Sequence, residues 1–146
     1  MELPFIDEHA VVVAATPERA WDALADELPR AFGSRRAEAL ARALDARPAR
    51  ADGGFPHPGA TLAGFRVTAS QRGRELVLAG EHRFSRYALE LLVEPAPGGA
   101  RVRARTLAEF PGVKGRLYRA AVIGSRGHVL LVRRILRSVK GRAERG

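Results

Sequence analysis

Hydrophobic positions along this 146-residue chain change period three times, and each change marks a boundary between elements. Residues 5–14, FIDEHAVVVA, end in a β-branched run and predict a strand. The period then turns helical, with Trp21, Leu24 and Leu28 recurring at i, i+3 and i+7 as one stripe. Thr16 suits the N-cap of that helix. Pro17 suits its first position, where a missing N–H costs nothing, and Glu18 complements the helix dipole. Pro29 is expected to end it. A second short helix follows, with Ser34 as cap and Ala37, Leu40 and Leu44 turned inward. The segment 45–59, DARPARADGGFPHPG, is dense in Pro and Gly and predicts a loop. Phe55 and His57 are its large side chains able to cover an opening, as a lid would.

A period of two then runs through four segments. Phe65, Val67 and Ala69 alternate with Arg66, Thr68 and Ser70. Leu76, Leu78, Gly80 and His82 share one side of the next segment, and Tyr87, Leu89, Leu91 and Val93 share one side of the third. Val102, Ala104, Thr106, Ala108 and Phe110 complete the pattern. This is the signature of an antiparallel meander with one buried face. QRG at 71–73 and PAPGG at 95–99 supply turns, and Glu90 and Glu94 are placed to face Arg103 and Arg105 on the outer side.

After Phe110 the period is helical again. Leu117, Ala121, Gly124, His128, Leu131, Ile135 and Val139 fall in one narrow band, opposite Arg119, Arg126, Arg133, Arg137 and Lys140. A continuous helix of about 25 residues would be about 38 Å long, enough to cross a small sheet. The predicted class is therefore α+β: an antiparallel sheet of five to seven strands around a long C-terminal helix, with two short helices after the first strand.

Composition adds three constraints. Cysteine is absent, which excludes disulfides, thiolate metal sites and cysteine nucleophiles. No apolar run approaches the ~20 residues of a membrane span, and the first residues do not resemble a secretory signal, so a soluble cytoplasmic domain over 1–146 is expected. Charge is uneven. Positions 111–146 carry ten Lys or Arg and one acid, Glu144, and so hold the whole net excess of +9. That segment is either the solvated face of the helix, with 140–146 as a frayed basic tail, or an electrostatic footprint for nucleic acid or an anionic membrane through Arg119, Arg126, Arg133, Arg137 and Lys140.

The order strand, two helices, meander, long helix resembles the START-like, or SRPBCC, superfamily of helix-grip proteins. The segments VVVAATPERAWDAL and FPGVKGRLYRAAVIGSRGHVLLVRRILRSV carry the resemblance. It covers nearly the whole chain, contains no catalytic motif, and implies a cavity between sheet and helix that takes an apolar molecule such as a lipid, polyketide or aromatic metabolite. Five strands are legible where a full member has about seven.

Large and small inward positions on both walls leave room for such a hollow. The candidate ligand-binding residues are Trp21, Phe65, Leu78, His82, Tyr87, Leu89, Leu91, Phe110, Tyr118, Ala121, Gly124 and His128. Among them His128 is a core histidine with a partner or an acid–base group, while His82, Tyr87 and Tyr118 offer an orienting group and phenol donors. A cyclase or dehydratase on this scaffold would draw on these four. No cofactor is indicated, and His9, His57, His82 and His128 lack metal-ligand spacing. No phosphate-binding loop or Ser-His-Asp pattern is present.

Overall fold

The computed structural model describes residues 3–124 and 126–145; Met1, Glu2, Ser125 and Gly146 lie outside it. The chain runs β1 (Phe5–Val13), α1 (Pro17–Phe32), α2 (Arg35–Ala43), β2 (Thr61–Leu62), β3 (Phe65–Gln71), β4 (Glu75–His82), β5 (Ser85–Ala96) and β6 (Gly99–Glu109). It continues through α3 (Gly112–Arg119), a π-helical segment (Ala120–Gly124) and α4 (Gly127–Arg145). The six strands form one antiparallel sheet in the order β1-β6-β5-β4-β3-β2. The α+β class expected from the periodicity, and the helix-grip arrangement that the resemblance implies, are the ones observed.

One face of this sheet packs on α1 and α4. Leu76, Leu78, Leu91 and Val102 meet Trp21, Leu24 and Leu28 from α1 and Val132, Ile135, Leu136 and Val139 from α4, all of them buried. Each such aliphatic side chain contributes about 1.5–3 kcal/mol by leaving water. The opposite face is laced by ions. Glu8 binds Arg103 at 2.9 Å and Arg105 at 3.4 Å, Glu90 binds Arg105 at 3.4 Å, and Glu94 binds Arg103 at 3.8 Å. The predicted Glu–Arg pairing is thus present across β5 and β6 and extends onto β1.

Several boundaries differ from the sequence expectations. Pro29 does not end α1, which continues to Phe32. Pro29 removes one backbone bond, yet Ala31 and Phe32 still pack on the core, and the Phe32 carbonyl accepts the Ala63 N–H at 2.9 Å. The helix ends at Gly33, where any Cβ would collide with the Pro29 carbonyl. In β3 a bulge between Val67 and Ala69 shifts the alternation by one residue. Ala69 therefore faces solvent, and Ser70 pairs with Leu76 in its place. The sixth strand, β2, has two residues, too short to carry a period of its own.

The largest correction concerns the last helix. It is not one continuous rod: the hydrogen-bond pattern widens to π over Ala120–Gly124, and Arg126 takes a left-handed φ of 64° before α4 begins. The phase slips there, so the band that predicted α4 correctly through Ile135 and Val139 fails before the break. Leu117 is 67% exposed, and Ala121 and Gly124 are exposed as well.

At its other end α4 runs on to Arg145 and is clasped to β1. Ala143 is buried, the Glu144 carboxylate accepts the Ala14 N–H at 2.8 Å, and Lys140 donates to the Val12 carbonyl at 3.2 Å and to Glu144. The Ala14 N–H, then Lys140, hold the Glu144 carboxyl below its ordinary value of 4.5. Positions 140–145 thus form an anchored helix end where a frayed tail was expected.

Candidate functional site

Between the β3–β6 end of the sheet, α2 and the start of α4 lies a cavity of about 270 Å³. Its origin is visible in the residues around it. α2 docks through Ala41, which packs with Ala46 and Ala63 and with the partly buried Ala37 and Ala49. Methyl groups hold that helix in place without filling the space beneath it. Leu40, expected inward, is 62% exposed, yet it stands at the cavity rim beside Ala37, Ala41 and Leu44. The remaining wall is mostly apolar: Phe65, Leu89, Ala108 and Phe110 from the sheet side, and Val122, Ile123, Leu131, Val132 and Ile135 from the helical side.

Of the twelve candidates, Phe65, His82, Tyr87, Leu89, Phe110, Tyr118 and His128 line this cavity. Trp21, Leu78 and Leu91 are instead packed solidly in the core, at 2%, 0% and 1% exposure. Ala121 and Gly124 point away because of the phase slip at the π segment, and Val122 and Ile123 take their place. Phe55 packs against the core and His57 is exposed, and neither lines the cavity. The loop bearing them is tied to the sheet by the Arg47–Glu81 and Asp52–Thr61 bridges, and it reaches the cavity wall through Ala46.

Aromatic rings form a chain around one end of the hollow. Phe32 meets Phe65 at 4.8 Å, Phe65 meets Tyr87 at 5.3 Å, Tyr87 meets His82 at 5.5 Å, and His82 meets Tyr118 at 4.7 Å. Edge-to-face and tilted contacts of this kind add about 0.5–1.5 kcal/mol each beyond burial. They fix α3 against the β4–β5 hairpin and so hold that side of the cavity open.

Six polar side chains interrupt the apolar wall, Ser85 and Tyr118 beside the four that follow. Tyr87 donates its hydroxyl to the Gly64 carbonyl at 2.6 Å. Burial pushes its pKa well above the ordinary value, with smaller contributions from Tyr118 and Glu81. Its O–H is therefore committed to the backbone. His82 accepts the Phe84 N–H at Nδ1, 3.0 Å, which leaves Nε2 as the N–H donor of a neutral ring. Burial lowers the His82 pKa and raises that of Tyr118.

His128 contacts Asp7 on β1, Nε2 to Oδ1 at 3.3 Å, while the other Asp7 oxygen meets His9 Nε2 at 3.2 Å. A carboxylate oxygen accepts, so in this contact the His128 Nε2–H donates and Nδ1 is left free of Asp7. The fourth group is Thr106, opposite Asp7 in the β1–β6 register and 8% exposed. Its Oγ1 has no hydrogen-bond partner among the described residues.

The Asp7 contact was missed in the sequence, although a signal existed: period two places Asp7 and His9 on the same face as Val11 and Val13. Thr106 was correctly assigned to the inner face, but nothing in the pattern foretold an unmatched hydroxyl. Among the described residues no group of His, Asp and Glu could hold a metal ion. No helix of the described residues is long and apolar enough to cross a membrane.

The His82 geometry sets a pH response. Folding holds its ring neutral, so the folded-state pKa lies below the ordinary 6.5. The associated stability is complete above pH 6.5 and is lost as pH falls through the folded-state value, because the unfolded chain then binds the extra proton. Urea midpoints measured between pH 5 and 8 should fall on the acid side, and His82→Phe should flatten that part of the profile.

Comparison with solved structures places this architecture. A protein from Rhizobium leguminosarum aligns over 96% of this chain and 94% of its own, with a TM-score of 0.62 and 14% identity. The di-domain ARO/CYC protein StfQ of the steffimycin biosynthetic pathway aligns over 99% of this chain and 52% of its own, at TM-score 0.59 and 15% identity. The protein Ara h 8.0201 aligns over 96% and 97%, at 0.57 and 12%. Identities this low speak for the fold alone, and the fold they share with this chain is the helix-grip fold. Neither a protein-family model nor a curated protein matches the sequence.

Proposed function

We propose that this protein binds a small, mainly apolar molecule in the cavity between α2, the sheet and α4. The observation that carries the proposal is a mainly apolar hollow of about 270 Å³, bordered by Thr106, whose buried Oγ1 lacks a partner among the described residues. Cores are packed near crystal density, so a partly open apolar hollow of this size leaves its lining facing water in place of packed neighbours. A buried hydroxyl without a partner adds a further cost of about 1–3 kcal/mol. A ligand offsets both, filling the volume with an apolar body and bonding Thr106 through one polar atom. For scale, about 150 Å³ accommodates benzene. The hollow therefore suits a bicyclic ring system or a single medium-length chain better than a two-chain lipid.

The polar groups suggest how such a molecule would be oriented. His82 Nε2–H donates, His128 offers its Nδ1, and the Thr106 hydroxyl donates or accepts. A ligand with one or two hydroxyl or carbonyl groups could be read by them without any charged group entering the cavity.

Native mass spectrometry of the purified protein provides the test. A retained, non-covalent small mass that disappears on unfolding, or the uptake of one equivalent of added decanol, is the expected result. A protein that carries nothing and takes up no apolar molecule at saturating concentration would remove the proposal.

A further inference from the structure

A second concavity adjoins the first. It is an open groove of about 830 Å³ between the end of α1, the start of α2 and the outer side of α4. Six arginines line it: Arg142 and five others, Arg30, Arg36, Arg134, Arg137 and Arg145. None of the five makes an ion pair among the described residues. The acid in the groove, Glu27, is already engaged by Arg142 at 2.7 Å. On the sheet and around it, several arginines are matched with acids. Arg101, Arg103 and Arg105 on the sheet and Arg72, Arg83 and Arg86 around it all have carboxylate partners. Five unmatched guanidinium groups converging on one concavity repel one another, and that arrangement is favourable when an anion sits among them. The positive end of α2 borders the same space through Ser34 and Arg36 and adds to the field.

Groove and cavity share a wall. Leu131 and Ile135 of α4 line both, so the two concavities meet at these side chains. We propose that the groove holds the anionic head, a phosphate or carboxylate, of the same molecule whose apolar body occupies the cavity. The ligand class is then an anionic amphiphile, with its tail under α2 and its head between α2 and α4. This assignment rests on the cavity reading above and extends it. It also gives part of the C-terminal charge excess a defined role, distinct from coating a nucleic acid or a membrane.

Calorimetric titration with decyl phosphate, decanol and inorganic phosphate separates the cases. Decyl phosphate should bind at least about tenfold more tightly than decanol at low salt, with the ratio shrinking towards one near 1 M salt, where the screening length is about 3 Å. Arg36→Gln combined with Arg134→Gln, both on the surface, should reduce that ratio and leave decanol binding unchanged. Equal affinities for the two probes, or a preference untouched by the double variant, would overturn the anionic head and leave the cavity reading intact. Binding of neither probe would remove both. Inorganic phosphate binding as tightly as decyl phosphate would show a free-anion site and overturn the bipartite ligand.

Discussion

Ala108→Phe is expected to lower affinity for an apolar ligand by at least about tenfold, or 1.4 kcal/mol, while leaving the fold intact. Ala108 stands on β6 opposite Tyr87, is 4% exposed and forms part of the cavity wall. A phenyl ring added there projects into the 270 Å³ hollow and takes roughly the space that benzene would, which is more than half of it. In a filled core the same change costs about 1–3 kcal/mol, because neighbouring side chains are forced off their rotamers. Here the ring enters unoccupied volume, so urea unfolding should show little loss of stability. The pairing of the two readouts is decisive. Lost binding with retained stability indicates a hollow, whereas lost stability indicates that the wall residues interdigitate.

The second large effect is expected at Gly80, where Gly80→Ala should destabilise the protein by about 3 kcal/mol or more. Gly80 lies on β4 opposite Tyr87, and the backbone of Gly64 passes directly over it. A Cβ at position 80 would collide with the Gly64 carbonyl and come within 3.0 Å of the Tyr87 ring. The Gly64 segment must then lift away, taking with it the acceptor of the Tyr87 hydroxyl. Overpacking of about 1–3 kcal/mol combines with a buried phenol left unbonded, itself worth about 1–3 kcal/mol. Gly124→Ala is the control. Nothing lies within 4 Å of its added Cβ, so stability should hold or rise by up to about 1 kcal/mol through better helix propensity, with binding unaffected. Equilibrium urea denaturation of the two variants checks both statements.

These two glycines also show how far the sequence could be read. A glycine at an inward strand position implies either close approach or empty space, and the sequence does not say which. At Gly80 it is close approach by a segment sixteen residues upstream, a tertiary fact absent from any local pattern. The sheet itself was legible because most of its inner positions, among them Leu76, Leu78, Leu89, Leu91, Val93 and Val102, are aliphatic at period two, and burial of one face imposes that. α1 was legible from Thr16, Pro17 and the Trp21–Leu24–Leu28 stripe. Its end was not, since tertiary packing of Phe32 overrides the local cost of Pro29.

The helical break was hidden for a related reason. Residues 117–128 keep an apolar band of period 3.6, but a π segment and one left-handed residue rotate the helix beneath it. Ala121 and Gly124 turn outward as a result, while Val122 and Ile123 turn in. His128 was placed correctly towards the interior because it lies beyond that break. Its partner Asp7 comes from the opposite end of the chain, and the pairing depends on β1 joining the sheet beside β6. Residue types and periods therefore foretold which faces are buried, while the cavity depends on how α2, the π segment and the Gly64 turn are set against them.

The location of a bound molecule tests the central claim most directly. With decanol and methyl-labelled protein, intermolecular nuclear Overhauser effects should appear at Leu89, Val132 and Ile135, which line the hollow, and be absent at Val113 and Leu130, which are 65% and 61% exposed. Contacts confined to Val113, Leu117 and Leu130, with none to the three interior methyl groups, would place the molecule on the surface and contradict a ligand chamber beneath α2.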